Sequence, residues 1–219
     1  MNGRRYELIV FDWDGTLMDS AAAIAEALQA SCGDLGYPVP SDKDARHIIG
    51  LGLREALEYI LPDIDVAEHP KIVDRYRYHF LKRDGGTTLF SGAADMVRDL
   101  HDNEYLLGIA TGKSRRGLNR ALDETGLKSY IHASRCADEG HCKPHPGMLE
   151  WILDELNVGR DRALMIGDTS HDMEMARAAG VARLAMAHGA HPRAELLPYD
   201  PLACLDSCTE LHEWLKENG

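Results

Sequence analysis

The features that mark secreted or membrane-spanning proteins are missing from this sequence. Its five cysteines are odd in number and scattered, which argues against a disulfide framework and favours a reducing cytosol. The first apolar stretch stops at Asp12, too early for the hydrophobic region of a signal peptide. No apolar stretch is long enough to span a bilayer. We therefore expect a cytoplasmic protein that does not act at a membrane.

Positive charge is also scarce. The 219 residues include 24 Lys and Arg against 36 Asp and Glu, so the net charge at pH 7 is −12 with histidine neutral. Nucleic acids and anionic membranes attract basic surfaces, so we expect neither as a partner. Hydrophobic residues make up 44% of the chain. That share is ordinary for a soluble globular protein, here of one large domain or a domain with a small insert.

Polar residues suited to catalysis follow several short apolar runs. The runs cover residues 8–11, 106–110 and 163–166. They lead into Asp12-Trp13-Asp14-Gly15-Thr16, Thr111-Gly112-Lys113-Ser114 and Gly167-Asp168, with Asp172 four residues later. Runs of this length are typical of buried strands, and ligands of open α/β sheets bind outside the carboxyl ends of the strands. Each segment alone could be an ordinary turn, but their joint occurrence predicts an active site.

The chain divides into two regions with different patterns. Residues 1–17 and 88–219 alternate strand and helix patterns, which predicts a mostly parallel sheet covered on both faces. Residues 18–87 carry helix patterns without a convincing strand and end in a linker around Gly85 and Gly86. This insert predicts a mobile helical cap that excludes water from an active site. The alternative is a helical extension packed rigidly on the core.

Several helix boundaries can also be predicted. In the insert we expect helices over residues 21–30, 45–61 and 71–82, the second interrupted by Gly50 and Gly52. In the other region Ser91 and Ser114 are expected to begin helices as N-caps, whereas Gly126 and Gly180 are expected to end them. Residues 181–187 and 202–205 are further strand candidates.

The two carboxylates of the first segment are candidates for different roles in phosphoryl transfer. A carboxylate beside a cation can attack phosphorus as a nucleophile. A second one can protonate the leaving oxygen and later activate water. Asp12 and Asp168 offer oxygen ligands, and a few carboxylates completed by water suit Mg²⁺ better than Ca²⁺ or Zn²⁺.

Phosphate itself needs donors and positive charge. Thr111 and the backbone N–H of Gly112 can hold phosphate oxygens at a strand-to-helix turn, and Lys143 supplies a fixed cation. Asp172 could orient that lysine or complete the metal shell. The histidines and cysteines around Lys143 could instead hold zinc, although their spacing matches no zinc pattern.

The chain resembles the haloacid dehalogenase superfamily over essentially its whole length, and within it the phosphoglycolate phosphatase-like group with a helical cap. The motifs that carry this resemblance are Asp12-Trp13-Asp14-Gly15-Thr16-Leu17, Thr111, Lys143, and Gly167-Asp168 with Asp172. The resemblance implies a Rossmann-like α/β core with a small all-helical cap. It also implies that Asp12 forms an aspartyl-phosphate and that Asp14 is the general acid and base. Mg²⁺ would be held by the Asp12 carboxylate, the Asp14 backbone carbonyl and Asp168, with Asp172 nearby.

Two residues help to choose among activities of this superfamily. Its dehalogenases lack an acid at the position of Asp14, because a halide leaves without a proton. Its phosphonate hydrolases use a cap lysine where this chain offers Arg54, which cannot form an imine. Arg54 could instead bind a carboxylate or second phosphate of the substrate, or be an ordinary solvated arginine.

We therefore expect a Mg²⁺-dependent phosphatase. Its substrate would be a small phosphorylated metabolite, phosphoglycolate-like or a sugar phosphate, and the protein would be a monomer or homodimer. The alternatives are a phosphomutase of the same superfamily and a non-catalytic regulatory protein that binds a phosphorylated ligand.

Overall fold

A six-stranded parallel sheet forms the centre of the computed structural model, which describes residues 5–84 and 87–219. The strands are β1 (Leu8–Phe11), β2 (Leu106–Thr111), β3 (Ala133–Cys136), β4 (Ala163–Gly167), β5 (Ala182–Met186) and β6 (Cys204–Leu205). They lie in the order β3-β2-β1-β4-β5-β6, and every neighbouring pair is parallel. The central β1 and β4 are buried along their whole length, as expected for a parallel sheet covered on both faces.

Helices cover both faces of this sheet. They are α5 (Ala93–Asp102), α6 (Arg115–Thr125), α7 (Gly147–Leu156), α8 (Ser170–Ala179), α9 (Arg193–Leu196) and α10 (Cys208–Asn218). Side chains of a strand alternate between the faces. Ile9 and Phe11 accordingly pack in one apolar cluster with α5, α6 and α10, whereas Leu8 and Val10 pack in another with α7 and α8. The predicted α/β class and its doubly covered sheet are confirmed.

A small helical cap is inserted between β1 and β2. It contains α1 (Ala21–Asp34), α2 (Asp42–His47), α3 (Leu53–Ile60) and α4 (His69–Asp84). These helices bury an apolar cluster of their own that includes Leu28, Leu57 and Ile72. The linker predicted at Gly85 and Gly86 lies outside the described residues. No helix within the described ranges is both long and apolar enough to cross a membrane.

Some predicted boundaries hold and others are wrong. Ser114 Oγ accepts the Gly117 N–H, and Gly126 ends the same helix in the left-handed conformation, as predicted. The helix expected over 45–61 is two helices, α2 and α3, and Gly50, with a φ of 95°, lies in the turn between them. Ser91 is not an N-cap: Gly92, with a φ of 82°, holds that position in α5.

Two strands also differ from the prediction. The strand β3 was missed because its centre is polar, with Ser134 and Arg135 half-buried near the sheet edge. The last strand is shorter than predicted, since only Cys204 and Leu205 pair with β5.

Candidate active site

Three strand ends bring the predicted residues to one edge of the sheet. Asp12 follows β1, Asp168 follows β4, and Thr111 is the last residue of β2. Because β1 lies between β2 and β4, these ends are neighbours. The Asp12 N–H donates to the Ile166 carbonyl at 2.9 Å, which ties the first segment to the adjacent strand. All three polar side chains are fully buried.

Gly15 allows the first segment to turn beside Asp168. Its φ of 84° is in the left-handed region, which favours glycine. A Cβ at this position would lie only 2.7 Å from Asp168 Cγ, so a side chain would also displace the carboxylate. The turn therefore lets two acidic strand ends approach each other closely.

A buried ion pair joins Lys143 to Asp12 and Asp172. The Lys143 ammonium lies 2.8 Å from Asp12 Oδ1 and 2.7 Å from Asp172 Oδ1. Burial alone would lower the pKa of Lys143, but the two carboxylates outweigh it and raise that pKa. Burial also raises the pKa of Asp12 to about 7, against the opposing charge of Lys143. The lysine is therefore a fixed cation, and Asp12 needs further positive charge to be fully ionised at neutral pH.

The start of α8 holds Asp172 in place. Its Oδ2 accepts hydrogen bonds from the Thr169 N–H at 3.0 Å and the Thr169 hydroxyl at 2.7 Å. In return, the Thr169 hydroxyl caps the helix by accepting the Asp172 N–H. One oxygen of Asp172 is thus used by the helix start, and the other contacts Lys143.

Asp168 completes a buried acidic cluster with Asp12 and Asp172. Its two oxygens accept hydrogen bonds from the Thr16 hydroxyl and the Ala190 N–H, each at 2.7 Å. Burial raises the pKa of Asp168 well above its ordinary value, and the charges of the other two carboxylates raise it further. One ligand oxygen from each carboxylate lies within 4.8 Å of the other two.

This cluster suits a divalent cation that prefers oxygen ligands. When ionised, the three buried carboxylates carry two negative charges more than the single Lys143 ammonium offsets. Asp12 Oδ2 is buried without a hydrogen-bond partner among the described residues. Buried charges are normally paired or bound to metal. The donor set and its excess charge therefore fit Mg²⁺, which prefers carboxylate oxygens and water.

Asp14 has a different environment from Asp12. Its Oδ1 accepts the Ser20 hydroxyl at 2.6 Å and contacts the Lys113 ammonium at 3.0 Å. That ammonium also lies 5.0 Å from the ring centre of Phe80, on cap helix α4. The sequence indicated Lys113 as part of the segment after β2 but gave it no role. Only the folded chain brings it to Asp14.

A cavity of about 260 Å³ opens beside Asp14 between cap and core. Its wall includes Asp14, Ser20, Lys113 and Phe80, but not Asp12. The volume is just below the roughly 300–1,000 Å³ of pockets for drug-sized ligands. It therefore suits part of a small metabolite.

The cap lies directly on the core beside the acidic cluster. A Cβ at Gly112 would lie 2.7 Å from the Gly50 carbonyl oxygen, so the cap loop approaches the end of β2 closely. The His47 carbonyl of the cap lies 2.7 Å from His171 Nε2 and 3.0 Å from His191 Nε2, and a carbonyl can only accept these hydrogen bonds. Cap backbone and this group of histidines thus meet where cap and core join, and no sequence pattern brought the three histidines together.

Arg54 is the one predicted site residue that the structure does not bring to the others. It lies on α3 with its side chain 73% exposed and pairs with Glu58 Oε1 at 2.9 Å, one helical turn away. It contributes to neither the acidic cluster nor the cavity beside Asp14. This placement favours the alternative of a solvated surface arginine.

The zinc hypothesis also gains no support. Within residues 5–84 and 87–219, two groups have the ligand spacing for a metal ion. One is the aspartate cluster, and the other is His47 with His191 and Glu195. Neither contains a cysteine, and the five thiols are free.

The chain is similar to several known proteins over most of its length. The family of haloacid dehalogenase-like hydrolases matches residues 9–186. A phosphoglycolate phosphatase of Aliivibrio fischeri is 31% identical over 194 residues, covering 84% of this chain and 85% of its own length. Pyrophosphatase PpaX of Anoxybacillus flavithermus is 29% identical over 206 residues, covering 93% and 94%. The crystal structure of a hydrolase from Pseudomonas syringae shares the fold, with a TM-score of 0.88 at 20% identity over 96% of this chain and 98% of that one.

Replacement of Lys143 by methionine should destabilise the metal-free protein strongly. Removing one partner of a buried ion pair costs about 3–5 kcal/mol. The charge of Lys143 lowers the pKa of Asp12, so without the lysine that pKa should rise further and Asp12 should bind a proton more tightly. Thermal unfolding in EDTA should therefore show a larger loss at pH 8, where the carboxylates must ionise, than at pH 5.5.

The matched control is Lys128→Met, which removes an exposed lysine paired with Asp123 on the surface. It should change the unfolding temperature little. An equally small effect of Lys143→Met would contradict the buried ion pair.

Proposed function

The chain belongs to the family of haloacid dehalogenase-like hydrolases, and on that premise we propose that it is a Mg²⁺-dependent phosphatase that forms an aspartyl-phosphate. As a member of that family it is a phosphoric monoester hydrolase that acts on phosphorylated small molecules. The observation that carries the finer proposal is the buried contact of Lys143 with Asp12 and Asp172 at the carboxyl edge of the sheet.

Asp12 is the proposed nucleophile. Its carboxylate oxygen forms a bond to phosphorus as the bond from phosphorus to the leaving oxygen breaks. Lys143 stabilises the negative charge of the attacking carboxylate and of the phosphoryl oxygens. Thr111 and the N–H of Gly112, at the adjacent strand end, are the proposed donors to those oxygens.

Asp14 is the proposed general acid and base. It gives a proton to the leaving oxygen in the first step. In the second step it takes a proton from the water that attacks phosphorus and releases phosphate from Asp12. Its position supports these roles, because Asp14 lines the cavity that can hold the leaving group while Asp12 does not.

Mg²⁺ would be held by the carboxylates of Asp12 and Asp168 and by the Asp14 backbone carbonyl. Asp172 would be either a further ligand or a group that positions Lys143 beside the ion. When bound, such an ion offsets the repulsion between these carboxylates and the phosphate. The excess negative charge of the buried cluster supports this assignment.

A small substrate is supported by the cavity of about 260 Å³ and by the relatives. One relative is a phosphoglycolate phosphatase and another a pyrophosphatase, so the family core alone does not fix the leaving group. We propose 2-phosphoglycolate, or a metabolite that resembles it, as the substrate.

Substitution of Asp12 by asparagine should abolish turnover and leave the fold intact, because the amide cannot form the acyl-phosphate. The measurement is phosphate release from a panel of phosphorylated metabolites, with Mg²⁺ and with EDTA, in the parent protein and in Asp12→Asn. Circular dichroism serves as the fold control. Normal phosphate release by the variant would overturn the mechanism, and an isomerised product without free phosphate would indicate a phosphomutase instead.

Substitution of Asp14 by asparagine should slow turnover by about 10²- to 10⁴-fold, the range for loss of a general acid or base. The loss should be larger for alkyl phosphates, which need a proton on the leaving oxygen, than for p-nitrophenyl phosphate, whose leaving group needs none. Steady-state kinetics on both substrates test this. A rate within about threefold of the parent on alkyl phosphates would remove Asp14 from the role.

Mg²⁺ should stabilise the protein more at pH 8 than at pH 6. In the metal-free protein the pKa of Asp12 is raised to about 7, so below that pH a proton occupies the site that Mg²⁺ needs. Displacement of one proton weakens the apparent affinity about tenfold per pH unit below the pKa. Thermal shift titrations at both values measure this, with Asp168→Asn as the control that loses the shift. Equal affinity at both values would contradict the assignment.

A further inference from the structure

Asp12 and Asp14 have different surroundings. Asp12 belongs to the buried aspartate cluster around Lys143, whereas Asp14 lines the cavity, whose wall does not include Asp12. In the proposed reaction the phosphoryl group meets Asp12, whereas the leaving oxygen meets Asp14. The remainder of the leaving group must therefore extend into the cavity. The chemistry of that cavity wall determines which leaving groups fit.

Lys113 is the charged side chain of that wall that contacts Asp14. Its ammonium lies 3.0 Å from Asp14 Oδ1, and the side chain is only 13% exposed. An ammonium has three N–H donors, so one contact with Asp14 does not use its full capacity. The Arg120 guanidinium also lines the cavity, but its Nε lies 3.6 Å from the Glu124 carboxylate, which offsets its charge.

The position of Lys113 depends on the cap as well as on the core. The ammonium lies 5.0 Å from the ring centre of Phe80, which belongs to cap helix α4. The lysine itself belongs to the loop after β2. A cation over an aromatic face is stabilised there, more strongly when partly shielded from water. The cap thus helps to hold a positive charge in the wall of the leaving-group cavity.

We propose that Lys113 binds an anionic group, a carboxylate or a phosphate, on the leaving group, and thereby selects substrates that carry one. This inference rests on the proposed phosphatase function. An Asp14 that gives its proton to the leaving oxygen is neutral beforehand, so it then no longer offsets the charge of the Lys113 ammonium. Lys113 lines the same cavity, and an anionic group on the leaving group can take over as its charge partner. A neutral leaving group gains nothing from this cation.

The test compares two ligands that differ only in the group in question. 2-Phosphoglycolate carries a carboxylate where ethyl phosphate carries a methyl group. Calorimetry with Asp12→Asn protein in Mg²⁺ gives both affinities without turnover. We expect this protein to bind 2-phosphoglycolate roughly 10- to 100-fold more tightly than ethyl phosphate, as for a hydrogen bond between charged groups.

In the Asp12→Asn protein, the additional substitution Lys113→Met should bring the ratio of the two affinities close to one. Lys113→Arg in its place should retain part of the preference for 2-phosphoglycolate. Any general loss of phosphate binding cancels in the ratio. The control Lys128→Met, which removes a lysine outside the cavity, should keep the full ratio. The proposal is overturned if the ratio of affinities is near one in the Asp12→Asn protein. It is also overturned if the ratio is unchanged by the additional Lys113→Met substitution.

The same variants separate this inference from the proposed function. The parent chain with position 12 intact is assayed for phosphate release from both ligands. If phosphate is released but the affinity ratio does not depend on Lys113, the phosphatase function stands and the anion site is overturned. If the affinity ratio depends on Lys113 but no phosphate is released, the anion site stands and the phosphatase function is overturned.

Discussion

The buried contact of one ammonium with two carboxylates is the constraint on which the site depends. A charge removed from water must be paired, since desolvation otherwise costs several kcal/mol. Lys143 can be buried only if Asp12 at the end of β1 and Asp172 in the first turn of α8 both reach it. The loop that carries the lysine, a strand end and a helix start are therefore fixed relative to one another. This local requirement aligns parts of the chain that are distant in sequence.

The same arrangement leaves negative charge to be offset. Asp168 joins the cluster at the end of β4, and its pKa is raised because burial and two carboxylate neighbours oppose its ionisation. An excess of buried charge would be a defect in a purely structural core. At the carboxyl edge of a parallel sheet this excess fits a divalent cation, which in the proposed reaction would offset the charge of the phosphoryl group. The electrostatic strain and the proposed chemistry thus share one origin.

Much of the core could be predicted because its signals are local. Residues 8–11 and 163–166 are continuous apolar runs, and a polar side chain after such a run marks a strand end. The strand β3 has no such run, and its pairing with β2 is a tertiary effect. The contact of Lys113 with Asp14 joins residues 99 positions apart, and no local pattern encodes it. Arg54 shows the reverse: its side chain suits anion binding, but a glutamate one turn away holds it at the surface.

The proposed placement of the leaving group beside Asp14 fits the fact that relatives with one core act on different phosphorylated compounds. Attack on phosphorus requires the same nucleophile, cation and metal ligands whatever group departs, so the aspartate cluster carries no information about the leaving group. That information must lie where the leaving group lies, in the cavity at the junction of cap and core. Lys113 comes from the core and Phe80 from the cap, and their contact exists only when the two are together. In the proposed reaction, specificity then depends on the cap as well as on residue type, because Phe80 of the cap and Lys113 of the core both line the cavity.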